Sequence, residues 1–147
     1  MKLLNVYEHP EAIQALYRIM AQRLKEPGTN ISHTAMPSLE DHTRFFNSKP
    51  YAGWYLIMGT RGVEEIMGAC YITKANELGI YIWPHYRGKG HATQALQTLM
   101  AMHTPAPPIT ATRAGKYLAR IHPNNKASQA LFERLGFQCY EHTYGKD

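Results

Sequence analysis

A chain of 147 residues, 44% of them hydrophobic, forms one domain large enough to bury a core without disulfides or a structural metal. Sixteen Lys and Arg against 11 Asp and Glu give a formal charge of +5, which suits a phosphate-rich ligand, an anionic surface or nucleic acid. No run of five like charges, no apolar stretch of membrane-spanning length, no signal-peptide pattern and only two cysteines occur, so the sequence is expected to be a soluble, cytoplasmic domain without membrane association or a disulfide framework.

Residues 2–7 read as a short strand. From Glu11 to Lys25, Ile13, Leu16, Tyr17, Met20 and Leu24 recur at helical spacing, and Pro27-Gly28 ends the helix. Residues 28–37 are polar and turn-rich. Ser38 can cap a second short helix, with Asp41 three residues on, and that helix fades at Lys49-Pro50. Three strands follow, Gly53–Gly59, Glu65–Thr73 and Glu77–Trp83, joined by turns at Gly59–Gly62 and Lys74–Asn76 as an antiparallel meander. A glycine-rich turn opens a helix from about His91 to His103, and residues 104–115 read as a Pro-containing loop. Lys116–His122 is a further predicted strand, Asn125–Leu135 a helix ended by Gly136, and Phe137–Tyr144 a last strand. The order is β-α-α-β-β-β-α-β-α-β, an α/β (α+β) single domain over residues 1–147 without internal repeat or linker.

The informative stretch runs from Glu77 to Ala92, a strand leading through Arg87-Gly-Lys-Gly-His-Ala92 into a helix. Glycines there let the backbone approach a ligand, and the uncompensated N–H groups at a helix start favour an anion. Neither GxGxxG nor GxxxxGK[ST] is present. Arg87-Gly-Lys-Gly-His-Ala92 instead resembles the R/Q-x-x-G-x-G/A signature of the GNAT N-acetyltransferase superfamily. About 35 residues on, His122-Pro-Asn-Asn125-Lys-Ala-Ser128 and the ending Leu135-Gly136-Phe137 resemble its second hallmark, N-x-x-S/A followed by LGF. This C-terminal motif is most similar to the ribosomal-protein N-terminal acetyltransferase-like branch. The resemblance covers residues 77–137 closely. It implies a mixed, largely antiparallel twisted sheet flanked by about four helices and splayed between the Glu77–Trp83 and Lys116–His122 strands. Acetyl-CoA would lie in the splay, its pantetheine along Ile80, Tyr81 and Ile82. The pyrophosphate would rest on Gly88, Lys89, Gly90, His91, Ala92 and Thr93, with Arg87 and Lys89 adding charge.

Transfer of an acetyl group to an amine needs a base for the ammonium proton and a proton for the leaving thiolate. Glu77, opening the strand beside the cofactor, is the expected base, and a solvated strand-start glutamate is the alternative. The resemblance gives Asn125 a contact to the pantetheine, leaving Asn124 to cap the helix. Many family members carry a Tyr where this chain has Phe132, which cannot donate a proton. Ser128 is the candidate acid, with Tyr140, Tyr144 or water as substitutes. Eight histidines form no HExxH and no Cys/His cluster, so no metal is expected. His33, His42, Tyr51 and Trp54 fall where the acceptor site should lie, and are read as packing or surface residues. The expected partner is a small-molecule or peptide amine. A non-catalytic CoA-binding module and an acyltransferase acting on nucleic acid are the alternatives. Edge strands permit a homodimer.

Overall fold

The computed structural model describes residues 1–26, 35–60 and 65–147. Strands β1 (Lys2–Asn5), β2 (Tyr51–Gly59), β3 (Glu65–Thr73) and β4 (Leu78–Ile82) form one antiparallel sheet in the order β1-β2-β3-β4. Among the described residues, four α-helices accompany it: α1 (Ala12–Leu24), α2 (Leu39–Asn47), α3 (His91–Met102) and α4 (Lys126–Arg134). The mixed α/β class and the helix count expected from the sequence are both observed. Most of the loop at 28–37 and half of the turn at 59–62, with His33, lie outside the described residues.

Period explains which faces are buried. On α1, Ala12, Ala15, Leu16 and Ile19 are buried, one stripe at helical spacing. Helix α2 begins where Ser38 Oγ accepts the Asp41 N–H at 3.0 Å, satisfying a donor that the helix itself leaves open. Along the strands the alternation of side chains produces two cores. Trp54, Leu56, Met58, Ala69 and Tyr81 face α1 and α2, joined by Leu16 and Phe46. Tyr55, Ile57, Cys70, Ile72, Leu78 and Ile82 face the other way, against Leu96 and Leu99 of α3 and Leu131 and Phe132 of α4. The result is a sheet between two helical layers.

Two expected strands do not form ladders. The segment 116–122 touches the sheet through a single parallel bridge, Glu77 to Leu118, where the Leu78 N–H donates to the Leu118 carbonyl at 2.7 Å and the Leu118 N–H to the Asn76 carbonyl at 3.0 Å. Alternate residues of it, Tyr117, Ala119 and Ile121, pack against the α3–α4 core. Beyond Leu118 no further bridge joins it to β4. The segment 137–144 is likewise unladdered: Phe137 packs on Phe132 at 5.1 Å between ring centroids, and the residues after it are exposed. Alternating apolar residues specify a face, whereas a ladder also needs a partner alongside.

Candidate active site

The single bridge at Glu77 makes β4 an edge strand for the rest of its length. Thr73 N–H donates to the Glu77 carbonyl and Trp83 N–H to the Met67 carbonyl, both at 2.9 Å, so residues 77, 79, 81 and 83 direct their main-chain groups at β3. Leu78, Ile80 and Ile82 therefore direct theirs at the open edge. Leu78 is met there by Leu118. The Ile82 carbonyl accepts from Arg87 Nε at 2.8 Å. Ile80 faces the gap between β4 and the 116–122 segment, and Tyr81 does not, its amide being turned into the sheet. Of the three residues expected to meet a strand-like ligand, Ile80 and Ile82 have the required main-chain orientation.

After Ile82 a single 3-10 turn at Pro84–Tyr86 leads to the glycine turn. Gly88 (φ 75°) and Gly90 (φ 82°) both adopt the left-handed conformation, which glycine enters without steric cost, and open space lies where a Cβ of either would stand. Gly90 is the residue before α3, and no side chain caps that helix. The N–H groups of His91, Ala92 and Thr93 thus open α3 without a competing acceptor, a suitable cradle for an anionic group. Lys89 lies on the turn with its ammonium 3.4 Å from the His85 carbonyl.

Arg87 is differently employed from the sequence expectation. Its guanidinium pairs with Glu26 at 2.7 Å and lies 5.2 Å from the centre of the Tyr81 ring, besides its bond to Ile82. Tyr81 donates its hydroxyl to the other Glu26 oxygen at 2.5 Å. Burial, together with this hydrogen bond, pushes the Tyr81 hydroxyl well above its ordinary value and keeps it a donor. Glu26 follows α1, so these contacts tie that helix to the end of β4.

Glu77 stands at the bridge itself, three-quarters buried, and pairs with Arg120 Nε. The carboxylate raises the Arg120 guanidinium above its ordinary value, chiefly by that hydrogen bond. Asn125 is the N-cap of α4: its Oδ1 accepts the Ser128 N–H at 3.1 Å. The division of labour expected between Asn124 and Asn125 is thereby reversed for the cap. Ser128 is half-buried in the first turn of α4. Phe132 is core, 4% exposed.

A cavity opens on the α1–α2 face of the sheet. Tyr51 and Trp54 line it, as do Phe45 and Tyr71. The Tyr71 ring lies directly over Gly79, where any side chain would collide with it. His42 is 1% exposed beside Tyr17 and belongs to packing. Sequence reasoning passed over Arg120, Glu26, Phe45 and Tyr71. Their only prior signal was charge or aromaticity; Arg120 and Glu26 acquire their places through Glu77 and Tyr81, 43 and 55 positions away.

The family model of the acetyltransferase (GNAT) domain matches residues 6–138. No curated protein sequence matches the chain significantly. Among solved structures, the chain is similar to a ribosomal-protein-alanine N-acetyltransferase from Brucella melitensis, at 18% identity and a TM-score of 0.69, covering 94% of this chain and 85% of that one. It is similar to RimL, a ribosomal alpha-N-protein acetyltransferase in complex with coenzyme A, at 19% identity and 0.65, covering 90% and 76%. An N-acetyltransferase from Staphylococcus aureus matches at 21% identity and 0.64, covering 87% and 78%.

Proposed function

The chain belongs to the GNAT acetyltransferase family, and from that premise we propose that it transfers the acetyl group of acetyl-CoA directly to a primary amine. The observation that carries this reading is the edge of β4: main-chain groups of Ile80 face a gap that closes at Glu77 and leads, past Ile82, to the uncapped glycine start of α3. From Glu77 to Ile82 the strand extends roughly 17 Å, a stretch suited to an extended pantetheine. The residues present fit the cofactor, because an anion meets free amides and Lys89 at one end and a strand-like arm meets a strand edge in the middle.

When bound, acetyl-CoA supplies an activated acyl group as a thioester. In the net reaction the amine nitrogen forms the new C–N bond, the C–S bond breaks, the amine loses a proton and the thiolate gains one. Glu77 takes the amine proton, directly or through water, held in place by Arg120. Ser128 is assigned the proton for the thiolate, since Phe132 has none to give. Asn125 serves first as the cap that holds the α4 turn bearing Ser128, and its family contact with the pantetheine is a secondary role. The Gly88–Thr93 amides fix the phosphates.

Calorimetric titration with acetyl-CoA tests the site. Micromolar binding is expected, and Gly90→Val, which places a β-branched residue at φ 82°, is expected to weaken it at least about tenfold. Absence of binding to the folded wild-type protein would overturn the reading. Glu77→Gln is expected to bind acetyl-CoA normally and lose roughly 100-fold in kcat, most strongly at low pH where the amine is most protonated. A flat pH profile with wild-type rates would remove Glu77 from the base role.

A further inference from the structure

The glycine turn that opens α3 is fastened by side chains more than by its own main chain. The Tyr86 N–H donates to the Trp83 carbonyl at 2.9 Å and the Arg87 N–H to the Pro84 carbonyl at 3.2 Å. Among the described residues, no main-chain hydrogen bond engages Gly88 or Lys89. Two left-handed glycines in such a stretch leave the backbone many alternative courses. Two side chains narrow the choice. Tyr86 donates its hydroxyl to Glu65 of β3 at 2.6 Å. Arg87 grips three groups at once: its Nε donates to the Ile82 carbonyl at 2.8 Å, its Nη2 pairs with Glu26 at 2.7 Å, and its guanidinium lies 5.2 Å from the centre of the Tyr81 ring.

The side of the sheet on which these contacts fall decides what Arg87 can do. Tyr81 belongs to the core that faces α1 and α2, whereas α3 packs through Leu96 and Leu99 into the core on the other side. Glu26 follows α1. The Arg87 guanidinium therefore lies on the α1 side with a carboxylate against it, while the anion cradle opens at the start of α3. The Glu26 side chain is only 17% exposed, so drawing the guanidinium toward a phosphate would strip a mostly buried carboxylate of a cationic partner. Holding Ile82 and Glu26 together also needs the planar fork of an arginine, with two donors set at a fixed angle.

We propose that Arg87 is a positioning residue for the cofactor. It acts on the phosphates through the backbone of residues 88–93, whose course it fixes by gripping Ile82 and Glu26, and Glu26 acts through Arg87. The side-chain charge that meets the phosphates is that of Lys89. The proposal rests on the acetyltransferase reading and divides the labour within its cofactor site.

The two possible roles of Arg87 give one substitution opposite signs. Were the guanidinium a phosphate ligand, removing the Glu26 charge would release it and tighten acetyl-CoA binding. As a positioning residue it loses its anchor, and Glu26→Gln is expected to weaken acetyl-CoA binding by at least about tenfold in calorimetry. Arg87→Lys, which keeps the charge and loses the fork, is expected to weaken it to a similar extent. In the ligand-free Glu26→Gln protein, amide exchange at Tyr86 and Arg87 is expected to quicken about threefold or more by NMR, with Leu96 and Leu99 of α3 unchanged. Tighter or unchanged binding by Glu26→Gln, or wild-type binding by Arg87→Lys, overturns the proposal and leaves the acetyltransferase reading standing. Exchange in the turn equal to that of the wild type does the same. Should Glu26→Gln fail to fold, Tyr81→Phe takes its place, since it removes only the hydroxyl bond to Glu26. A loss of about threefold in acetyl-CoA affinity then supports the proposal, and unchanged affinity overturns it. Failure of the folded wild-type protein to bind acetyl-CoA overturns the acetyltransferase reading itself, and the proposal with it.

Discussion

Cys70 and Cys139 differ in everything but their chemistry. Cys70 sits in β3 with no exposed surface, and burial pushes its thiol up to about 12, while Cys139 is exposed near the C-terminus. Only thiolates alkylate at a useful rate. Iodoacetamide at pH 8 is therefore expected to place one adduct on the native protein and two on the denatured one, read by mass spectrometry, and two adducts on the native fold would contradict the burial. Asn76 makes the same point for a polar group. It is 2% exposed at φ 68°, donates to the carbonyls of Ala106 and Ala114 at 3.0 and 2.7 Å, and accepts from the Ala106 N–H at 2.7 Å. Its place in a turn was legible in Lys74–Asn76, because Asn tolerates the left-handed region. Its role as the anchor of the 104–115 loop was not, since the partners lie 30 and 38 residues away. Replacing Asn76 with Ala leaves three part-buried main-chain groups without their partner, and a loss of about 2 kcal/mol by chemical denaturation is expected.

Helix starts show how local signals succeed and how a family pattern can obscure them. Ser38 caps α2 as its spacing implied. At α4 the cap falls to Asn125, the residue to which the family pattern gives a ligand contact. Asn125→Ala is expected to cost about 1 kcal/mol of stability, and Asn124→Ala to cost almost nothing. The converse result in thermal melts would return the cap to Asn124. Segment 116–122 shows the other limit. Tyr117, Ala119 and Ile121 alternate along it and pack against the α3–α4 core. Ladder formation depended on β4, some 40 residues earlier, holding the segment at Leu118 and nowhere else. The Glu77–Arg120 pair fastens that one contact point. Arg120→Met is expected to speed exchange of the Leu78 amide, bonded to Leu118, about tenfold or more, without affecting Gly79, whose amide is paired within the sheet. Equal acceleration of both would mean that the substitution loosens β4 as a whole.

At the scale of the molecule, the two cores on either side of the sheet make its stability depend on pH in a definite direction. Burial raises Cys70 from 9.0 to about 12 and raises Tyr51 and Tyr81 above their ordinary 10.0. The unfolded chain therefore ionises these groups before the folded one does. Their neutral forms support the fold fully below about pH 9, and that support is lost as pH climbs toward 12. Urea midpoints are expected to decline across that interval, with a shallower slope in Cys70→Ala, and midpoints flat to pH 12 would contradict the burial of all three. The order of helices and strands was legible, because hydrophobic period distinguishes the two without knowledge of partners, and their layering was what the family resemblance implied. The composition of the cavity on the α1–α2 face was not, because it is assembled from α1, α2, β2, β3 and β4 at once.

The bare side of β4 has a consequence for how the protein can change over generations. What Ile80 offers at that edge is a peptide group, and every amino acid except proline carries the same one. Substitutions at 80 alter the packing beneath the sheet while leaving the edge chemistry intact. Selection can therefore rewrite the side chains on either face of the strand freely, provided that the backbone course of β4 and the two left-handed glycines persist. A frame that is 18% identical to another and still superimposes on it with a TM-score of 0.69 is what such inheritance leaves behind.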